Sequence, residues 1–426
     1  MVADEPPRGG VSATPASDRA WFPGLAERQV RVYLLGQGLS MLGTWTLDIT
    51  LNLLVWQITG SPATLGLLNF LLYGPGVLVT PVLSSRLTVA NARRITVCVL
   101  VAALAVALAL VLAAAMHWLT LPLLLGAAAL RGVLGGMEVP SRQMLLLNIC
   151  SDPSRLGHVV AMNTVVFLLA RTAGPGLASL MFAPLGPIWA FVLAALAIAF
   201  MLRCVLQLRV VAVAPSAAPS GSGGLHGAWA FVRGDSFGRL FIPMVACVAF
   251  CVGAYQTLVP VLADRVFGAA SLWTGWFYAA AGFGALVAAV MLSSRHIDVL
   301  LRRLLLVVPW SAVLALAVLA VSRHPLPTLL AFGLLGFCTS FVGTGTNATL
   351  QRRVPAKARG GLIALFLLAF IGPMPLSQLA AGALAQWLSV GATFALLSAA
   401  LVVGLLVLCG PRWRRAGRVQ FHLRKL

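Results

Sequence analysis

Lysine and acidic residues are scarce in this chain. Of its 426 residues only ten are Asp or Glu, and the only lysines are Lys357 and Lys425. A nucleotide-binding loop of the form G-x-x-x-x-G-K-[ST] requires a lysine after a glycine. Lys357 instead follows Pro355-Ala356, and Lys425 lies near the C-terminus. The sequence therefore excludes ATP hydrolysis by such a loop, and we expect no cofactor.

The cysteines and histidines form no metal or catalytic motif. The seven cysteines are odd in number, contain no C-x-x-C pair and lie almost entirely within apolar stretches, so they predict neither disulfides nor a metal site. The six histidines lie at the periphery of the apolar stretches. No nucleophile, base and orienting acid can be assembled from the sequence, which argues against an enzyme.

The sequence consists mainly of long hydrophobic runs. The chain is 60% hydrophobic and only 9% charged, and its mean hydropathy of +0.97 is far above that of a soluble domain. A helix needs about twenty apolar residues to cross a hydrocarbon core of roughly 30 Å. We therefore predict an all-α membrane protein with twelve transmembrane helices. The predicted spans are residues 31–57, 62–84, 94–115, 119–147, 157–182, 186–207, 238–262, 271–293, 303–322, 326–350, 359–386 and 388–409.

The net charge of +20 raises the question of a nucleic-acid partner. If the N-terminus is cytoplasmic, only Arg265 and Arg323 lie in outward loops, only Arg131 and Arg171 lie deep within spans, and the remaining Lys and Arg face the cytoplasm. This distribution is the positive-inside pattern of membrane proteins. We therefore expect cytoplasmic termini, contact with anionic membrane lipids and no nucleic-acid partner.

A repeat divides the twelve spans into two sets of six. Residues 82–94 read VLSSRLTVANARR and residues 291–303 read MLSSRHIDVLLRR, so Ser-Ser-Arg and Arg-Arg recur with an offset of 209 residues. Gly66 and Gly275 share that offset. Chance similarity is the alternative, but two polar motifs with one offset, each after an even-numbered span, argue against it. Parallel six-helix repeats predict a binding site between the halves near the membrane midplane.

Composition indicates where the two six-span halves and the segments around them begin and end. A Pro-, Ser- and Gly-rich stretch at 214–224 and a short amphipathic run at 225–231 separate the two halves. The predicted units are a disordered cytoplasmic N-terminal tail (1–28), an N-terminal six-helix bundle (29–207), a cytoplasmic linker (208–236), a C-terminal six-helix bundle (237–409) and a basic cytoplasmic tail (410–426).

Several local motifs are similar to those of one transporter family. They are Thr59-Gly60-Ser61-Pro62 after the first span, Pro140-Ser141-Arg142-Gln143 closing the fourth, ARTAGPG at 170–176 in the fifth, the stretch 350–383, and Arg131 with Gly135. From about Val30 to Leu408 the chain resembles the major facilitator superfamily, and within it the bacterial drug:proton antiporters that include the enterobactin exporter. The resemblance implies two pseudo-symmetric six-helix bundles, proton-coupled efflux, a bacterial cytoplasmic membrane and a monomer.

The resemblance also implies a conformational motif in the fifth span. Its matching residues, which we expect to shape a moving helix contact, are Arg171, Gly174, Pro175 and Gly176. A purely structural clamp is the alternative role for Arg171. After the second span the chain departs from the family, because Pro81 and Ser85-Arg86 stand where the family has Gly and Asp-Arg. We expect Arg86 to hold helix ends or a lipid phosphate without its usual carboxylate partner.

Two carboxylates lie within predicted spans. Asp48 lies on a polar stripe of span one, and Glu138 follows Arg131 by seven residues on one face of span four, about 10 Å along the axis. A carboxylate inside a membrane is costly and is by default a functional-site hypothesis. We predict Asp48 and Glu138 as proton-coupling groups, linked by Arg131. The alternatives are a neutral Asp48 bonded to a neighbouring helix and a static pair of Glu138 with Arg142.

Neutral polar and aromatic residues predict the wall of a substrate cavity. The second half contributes no deep charge, and such a wall suits an amphipathic ligand better than a sugar or a strong anion. The predicted cavity residues are Gln37, Trp45, Asn52, Tyr255, Gln256, Tyr278, Asn347 and Gln378.

These patterns together predict a secondary-active exporter of small amphipathic molecules such as drugs, siderophores or secondary metabolites, coupled to protons and working by alternating access. Two alternatives stay open. One is an uncoupled or import-direction carrier, including one for lipid-like substrates. The other is a transporter-like receptor or scaffold, for which the departure after span two is the argument.

Overall fold

The structure is a computed structural model and describes residues 27–150, 152, 155–208, 224–294, 297–354 and 359–423. Twelve helical segments in these ranges are long and apolar enough to cross a membrane, which confirms the predicted all-α fold. The helices are α1 (Arg28–Thr59), α2 (Pro62–Arg86), α3 (Val89–Ala115), α4 (Leu121–Ile149), α5 (Leu156–Leu185), α6 (Pro187–Gln207), α7 (Gly224–Gly234), α8 (Gly238–Gly253), α9 (Tyr255–Phe267), α10 (Ala270–Ser293), α11 (Ile297–Val321), α12 (Pro325–Arg353), α13 (Arg359–Ile371), α14 (Pro373–Trp387) and α15 (Val390–Leu423).

Residues 1–26 of the predicted tail 1–28 and residues 209–223 of the predicted linker 208–236 lie outside the described residues, and α1 begins at Arg28. Within the linker, the amphipathic run at 225–231 falls in the short helix α7. The Trp229 ring is 45% exposed there, and the Arg233 guanidinium carbon lies 5.1 Å from its centroid. Asp235, just after α7, forms an ion pair of 3.5 Å with Arg353 at the end of α12.

The turn between the first two spans is built by the Thr-Gly-Ser-Pro motif. Gly60 ends α1 with a φ of 56°, a left-handed conformation that glycine adopts without steric cost. The Ser61 hydroxyl accepts a hydrogen bond of 3.2 Å from the Thr64 backbone N–H, and Pro62 begins α2. The two helices can therefore reverse direction within two residues.

Two of the spans are interrupted, which the sequence did not predict. Helices α8 and α9 meet at Ala254 to form the seventh span, and α13 and α14 meet at Gly372 to form the eleventh. Pro373 begins α14, and a proline cannot donate a helical hydrogen bond. The breaks lie side by side, because a Cβ added to Gly253 would lie 2.9 Å from the Met374 Cγ.

The two halves, α1–α6 and α8–α15, pack against each other through α2 with α14 and α5 with α10. Glycines allow both close approaches. A Cβ on Gly66 of α2 would lie 2.9 Å from the carbonyl oxygen of Gln378, and one on Gly275 of α10 would lie 2.6 Å from the Ser179 Cβ. The pair of glycines with the shared offset in sequence therefore occupies the two equivalent contacts between the halves.

The helix ends define two ends of the bundle. We call one end the basic end, because four arginines lie there: Arg28, Arg86, Arg155 and Arg353. We call the other end the opposite end; three glycines of positive φ lie there: Gly60, Gly186 and Gly268.

Candidate functional site

Four charged side chains meet inside the first half, between α1 and α4. The Arg131 Nη2 lies 3.4 Å from the Asp48 Oδ1, and its Nη1 lies 3.7 Å from the Glu138 Oε2. The Arg142 Nη2 lies 2.6 Å from the Glu138 Oε1. All four residues are buried, with at most 6% of their surface exposed. The structure thus brings together the three predicted proton-coupling residues and adds Arg142; we call this group the four-charge cluster.

The burial of Arg142 corrects the sequence analysis, which placed only Arg131 and Arg171 deep within spans. Arg142 is 2% exposed inside α4. It donates hydrogen bonds of 2.9 Å to the Gln37 Oε1 and to the Ser40 Oγ of α1, and its carbonyl accepts one from the Tyr33 hydroxyl. Gln37, predicted as a cavity residue, is therefore a partner of Arg142. In the sequence, the four-residue spacing of Glu138 and Arg142 is the feature that could have predicted this buried ion pair.

Pro140 shapes α4 beside Glu138 in the way its sequence position predicts. Because proline has no N–H, the carbonyl four residues earlier, that of Gly136, lacks its helical donor. The Thr80 hydroxyl of α2 donates to this carbonyl at 2.9 Å. A Cβ added to Gly136 would lie 2.6 Å from the Gly76 Cα, so α2 and α4 are in close contact here.

Asn52 serves as a helix contact and not as an open cavity residue. It is 1% exposed. Its amide donates to the Asp48 carbonyl at 2.9 Å, and its oxygen accepts a hydrogen bond of 2.7 Å from the Asn69 side chain of α2. These bonds fix the turn of α1 that carries Asp48.

Arg171 lies apart from the four-charge cluster. Its guanidinium carbon is 5.7 Å from the centroid of the Trp45 ring, a cation–π distance. Trp45 lies one turn before Asp48 on α1. The phenols of Tyr73 on α2 and Tyr278 on α10 both lie within electrostatic range of Arg171.

The second half presents aromatic rings and amides to this region. Tyr255 packs against Tyr278 and Phe332, with centroid distances of 6.0 and 5.8 Å. The Tyr278 hydroxyl donates at 2.9 Å to the Gln256 carbonyl, which Pro260 four residues later leaves without a helical donor.

An amide pair completes this wall. The Gln378 side chain donates to the Gln256 Oε1 at 2.7 Å, while the buried Gln378 Oε1 has no hydrogen-bond partner among the residues that the structure describes. The hydrogen bond joins α9 to α14 just beyond the breaks in the seventh and eleventh spans. Four of the predicted cavity residues, Tyr255, Gln256, Tyr278 and Gln378, therefore form one wall.

Asn347 lies elsewhere. Its Oδ1 accepts a hydrogen bond of 3.0 Å from Gln351 one turn later, toward the basic end of α12. Both residues line a cavity of about 470 Å³ together with Thr344, Ala348 and Arg352. The prediction that Asn347 belongs to the same wall as Tyr278 has no support from these contacts.

Contacts between the halves close the opposite end. The Trp56 indole N–H of α1 donates to the Asp264 Oδ2 of α9 at 3.0 Å, and the Arg265 guanidinium carbon lies 5.5 Å from the Trp56 ring centroid. The Ser61 hydroxyl donates to the Gln386 Oε1 of α14 at 3.1 Å. A cavity of about 640 Å³ borders Trp56 and Asp264.

The halves diverge toward the basic end. On α5, Thr172 and Ser179 pack against glycines of α10. Residues seven positions apart lie on one helical face. On the same face, Val165 is 52% exposed and His158 is exposed as well. On this face, the contact between α5 and α10 therefore does not extend to the basic end.

Part of the antiporter-like motif forms a helix contact within the first half. A Cβ on Gly174 would lie 2.5 Å from the Trp45 Cβ, so this glycine packs α5 against α1 of the same half, and Pro175 beside it is buried. Gly176 faces the other way, with its Cα 3.4 Å from a Cβ built on Gly275. The motif therefore joins a contact within the first half to one between the halves.

Arg86 is exposed at the end of α2, and its carbonyl accepts a hydrogen bond of 2.9 Å from the Asn91 side chain.

We expect Gly174→Ala to destabilise the protein, because the new methyl group overlaps Trp45, and overpacking of a core typically costs about 1–3 kcal/mol. Gly176→Ala is the matched control, since nothing lies within 4 Å of its added Cβ. Thermal unfolding of the purified variants in detergent measures the difference. Equal melting temperatures for the two variants would contradict the α1–α5 contact described here.

Twelve spans in two halves, with buried charges between α1 and α4, define a membrane transporter of the major facilitator type. The chain belongs to the transmembrane secretion effector family, whose sequence profile matches residues 19–418. A search of curated proteins finds no match.

Solved structures share the fold. The nucleoside transporter NupG is similar with a TM-score of 0.68 at 12% identity, over 90% of this chain and 99% of that one. The human organic anion transporter MFSD10 (TETRAN) has a TM-score of 0.59 at 16% identity, over 89% and 99%. A bacterial metal transporter has a TM-score of 0.61 at 16% identity, over 90% and 98%. At these identities the similarity concerns the fold alone.

Proposed function

We propose that the protein is a secondary-active, proton-coupled exporter of small amphipathic molecules in a bacterial cytoplasmic membrane. The observation that carries the proposal is the buried pair of Asp48 with Arg131, beside aromatic rings from both halves. An ion-coupled carrier needs a titratable group inside the membrane, and Asp48 is such a group.

The geometry favours Asp48 over Glu138 as the group that carries the proton. A charge-assisted N–H···O bond is about 2.7–2.9 Å long. Glu138 has such a strong contact with Arg142, at 2.6 Å, and a second arginine at 3.7 Å. Among the described residues, Asp48 has one arginine within ion-pair distance, at 3.4 Å. Protonating Glu138 would leave the buried Arg142 without an acid and Arg131 with Asp48 alone, whereas protonating Asp48 releases one long contact and leaves Glu138 beside both arginines. We assign the proton site to Asp48 and a fixed, ionised state to Glu138.

Arg131 is suited to couple the two acids. Its guanidinium reaches toward both, yet its Nε and Nη1 have no hydrogen-bond partner within the described part of the chain. Buried N–H groups without partners are costly and are satisfied by water or by a small shift. Loss of the Asp48 charge would leave Glu138 as the stronger attraction for Arg131. Protonation of Asp48 would then move Arg131 along α4.

Alternating access is supported by the hydrogen bonds that join the halves at the opposite end and by the α5–α10 contact that does not extend to the basic end. The Trp56–Asp264 and Ser61–Gln386 hydrogen bonds must break for the opposite end to open. The glycine contacts of α5 with α10 and of α2 with α14 lie between the two ends and can act as the pivot. The similarity of the sequence motifs to those of drug:proton antiporters supports export as the direction of transport.

The test is transport in proteoliposomes. A thermal-stability screen of the purified protein over drugs, siderophores and lipids first selects a compound that raises the melting temperature. Flux of that compound is then measured with and without an imposed pH gradient. We expect flux in the direction opposite to the proton gradient, and little flux without one.

Each alternative function has its own outcome in this assay. Flux that is equal with and without the gradient would identify an uncoupled carrier, and flux along the proton gradient an import-direction carrier. Binding without flux would identify a receptor or scaffold. Any of these three results would contradict proton-coupled export.

Membrane orientation has a separate test. We propose that the basic end faces the cytoplasm, because arginine is enriched there. Ser85 lies exposed at the basic end of α2, and Ser389 lies exposed between α14 and α15 at the opposite end. In a background without the seven native cysteines, Ser389→Cys should react with an impermeant maleimide added to whole cells, and Ser85→Cys only after permeabilisation. Labelling of Ser85→Cys in intact cells would contradict the orientation.

A further inference from the structure

Arg171 carries a charge that no acid in the described part of the chain balances. In the four-charge cluster, Arg131 and Arg142 are matched by Asp48 and Glu138, so the cluster is neutral when both acids are ionised. Arg171 forms no ion pair with any described carboxylate. The Trp45 ring holds its guanidinium at 5.7 Å but does not cancel its charge. The core of the protein is therefore left with one positive charge in excess.

The unbalanced charge lies at mid-membrane and between the halves. Arg171 is 15 residues from the start of α5 and 14 from its end. The next residue, Thr172, packs against Gly282 of α10 in the other half. A charged side chain at the bilayer centre is costly and marks a substrate or ion pathway more often than a structural contact. Arg171 is only partly buried in the present arrangement.

The groups near Arg171 suit the rest of an amphipathic ligand. Trp45 lies beneath the guanidinium, and the phenols of Tyr73 and Tyr278 lie within its electrostatic range. In the second half, the buried ring of Tyr255 packs next to Tyr278 and supports it, and the buried ring of Phe332 packs against Tyr255. A lone cation among aromatic rings matches one anionic group attached to an apolar body. A polyanion would need further cations, and a cationic ligand would be repelled.

We infer that Arg171 is the anion-binding residue of the substrate cavity, and that the substrates are amphipathic monoanions such as aromatic carboxylates or sulfonates. The inference rests on the proposed transport function, because it names the substrate class of that carrier. Arg171 is separate from Asp48, so the anion and the proton occupy different groups.

Two fluorescent probes with nearly the same apolar body test this. Anilinonaphthalene sulfonate carries one negative charge, and phenylnaphthylamine is its counterpart without the sulfonate. Binding of each probe to the purified full chain is titrated in detergent, after subtraction of the micelle signal. The variants are Arg171→Gln, which removes the charge, and Arg171→Lys, which restores it. Arg203→Gln is the control, because Arg203 lies exposed on α6.

We expect Arg171→Gln to weaken binding of the sulfonate by about tenfold or more, because charge-assisted contacts are worth about that factor. Arg171→Lys should recover part of the loss. Binding of phenylnaphthylamine should stay unchanged in every variant, which also shows that the cavity is folded. Arg203→Gln should affect neither probe.

Sulfonate binding that does not depend on Arg171, including an absence of binding to the parent protein, would overturn the inference. An equal loss for both probes would also overturn it, because Arg171 would then be a structural clamp. The titration is an equilibrium measurement without a pH gradient. If the protein proves not to export with protons, the sulfonate can still depend on Arg171 for binding while phenylnaphthylamine does not. If the sulfonate proves not to depend on Arg171, proton-coupled export of uncharged molecules is still possible.

Discussion

Glu138→Gln is expected to destabilise the protein far more than Asp48→Asn, although each change removes one negative charge from the same buried cluster. Glu138 lies against Arg131 and Arg142, and Arg142 is 2% exposed with its other contacts to neutral groups. Removing one partner of a buried ion pair costs about 3–5 kcal/mol, because the other charge is left without compensation. Asp48→Asn removes a single, longer contact.

Expression level, gel-filtration profile and thermal unfolding in detergent compare the two variants. We expect Glu138→Gln to unfold many degrees below the parent or to fail to accumulate, and Asp48→Asn to remain close to the parent. Rescue of Glu138→Gln by a second change, Arg142→Gln, would support the pairing, because both buried charges are then removed. Equal stability of the two single variants would show that Glu138 is not the fixed member of the cluster.

Asp48→Asn is expected to abolish proton-driven export while it preserves folding and ligand binding. Asparagine resembles the protonated acid in shape but cannot release a proton. In proteoliposomes the flux driven by a pH gradient should fall to that of liposomes without protein. The thermal shift caused by the transported compound should remain.

Arg131→Lys is the companion variant for this experiment. It retains the positive charge, but a lysine cannot reach two acids with a planar fork of donors. We expect transport that continues at a reduced ratio of protons to substrate. Export by Asp48→Asn at the rate of the parent would remove Asp48 from the coupling mechanism.

Much of the fold was predictable because hydropathy and charge are read directly along the chain. Apolar runs of membrane-spanning length predicted twelve spans, and the described part of the chain contains twelve. Gly66 and Gly275, which share the offset of the sequence repeat, also occupy equivalent places in the structure, since each lies at a contact between the halves. Pro140 predicted a freed carbonyl on α4, and Thr80 binds the Gly136 carbonyl.

Depth and direction of side chains were less predictable. Arg142 lies in the tetrapeptide Pro140-Ser141-Arg142-Gln143 near the end of a predicted span, where an arginine is expected at the membrane interface. Its burial depends on Gln37 and Ser40 of α1, which are more than a hundred residues away in the chain. Asn347 has the same residue type as a cavity amide, but its position along α12 places it beside Gln351.

The breaks in the seventh and eleventh spans were missed for a related reason. Pro373 marks the second break, whereas Ala254 offers no local signal for the first. Gly253 and Met374 pack together there, and this contact is formed only in the folded bundle. Hydropathy is continuous across both breaks, so it predicts uninterrupted helices.

The protonation state of Asp48 is the central claim, and infrared difference spectroscopy tests it most directly. The carbonyl stretch of a protonated carboxyl is recorded for the reconstituted parent protein, Asp48→Asn and Glu138→Gln while the pH is lowered. Our account predicts one buried carboxyl band that grows as the pH falls, is absent from Asp48→Asn, and therefore belongs to Asp48. A band that persists in Asp48→Asn but disappears in Glu138→Gln would assign the proton to Glu138 and contradict the account.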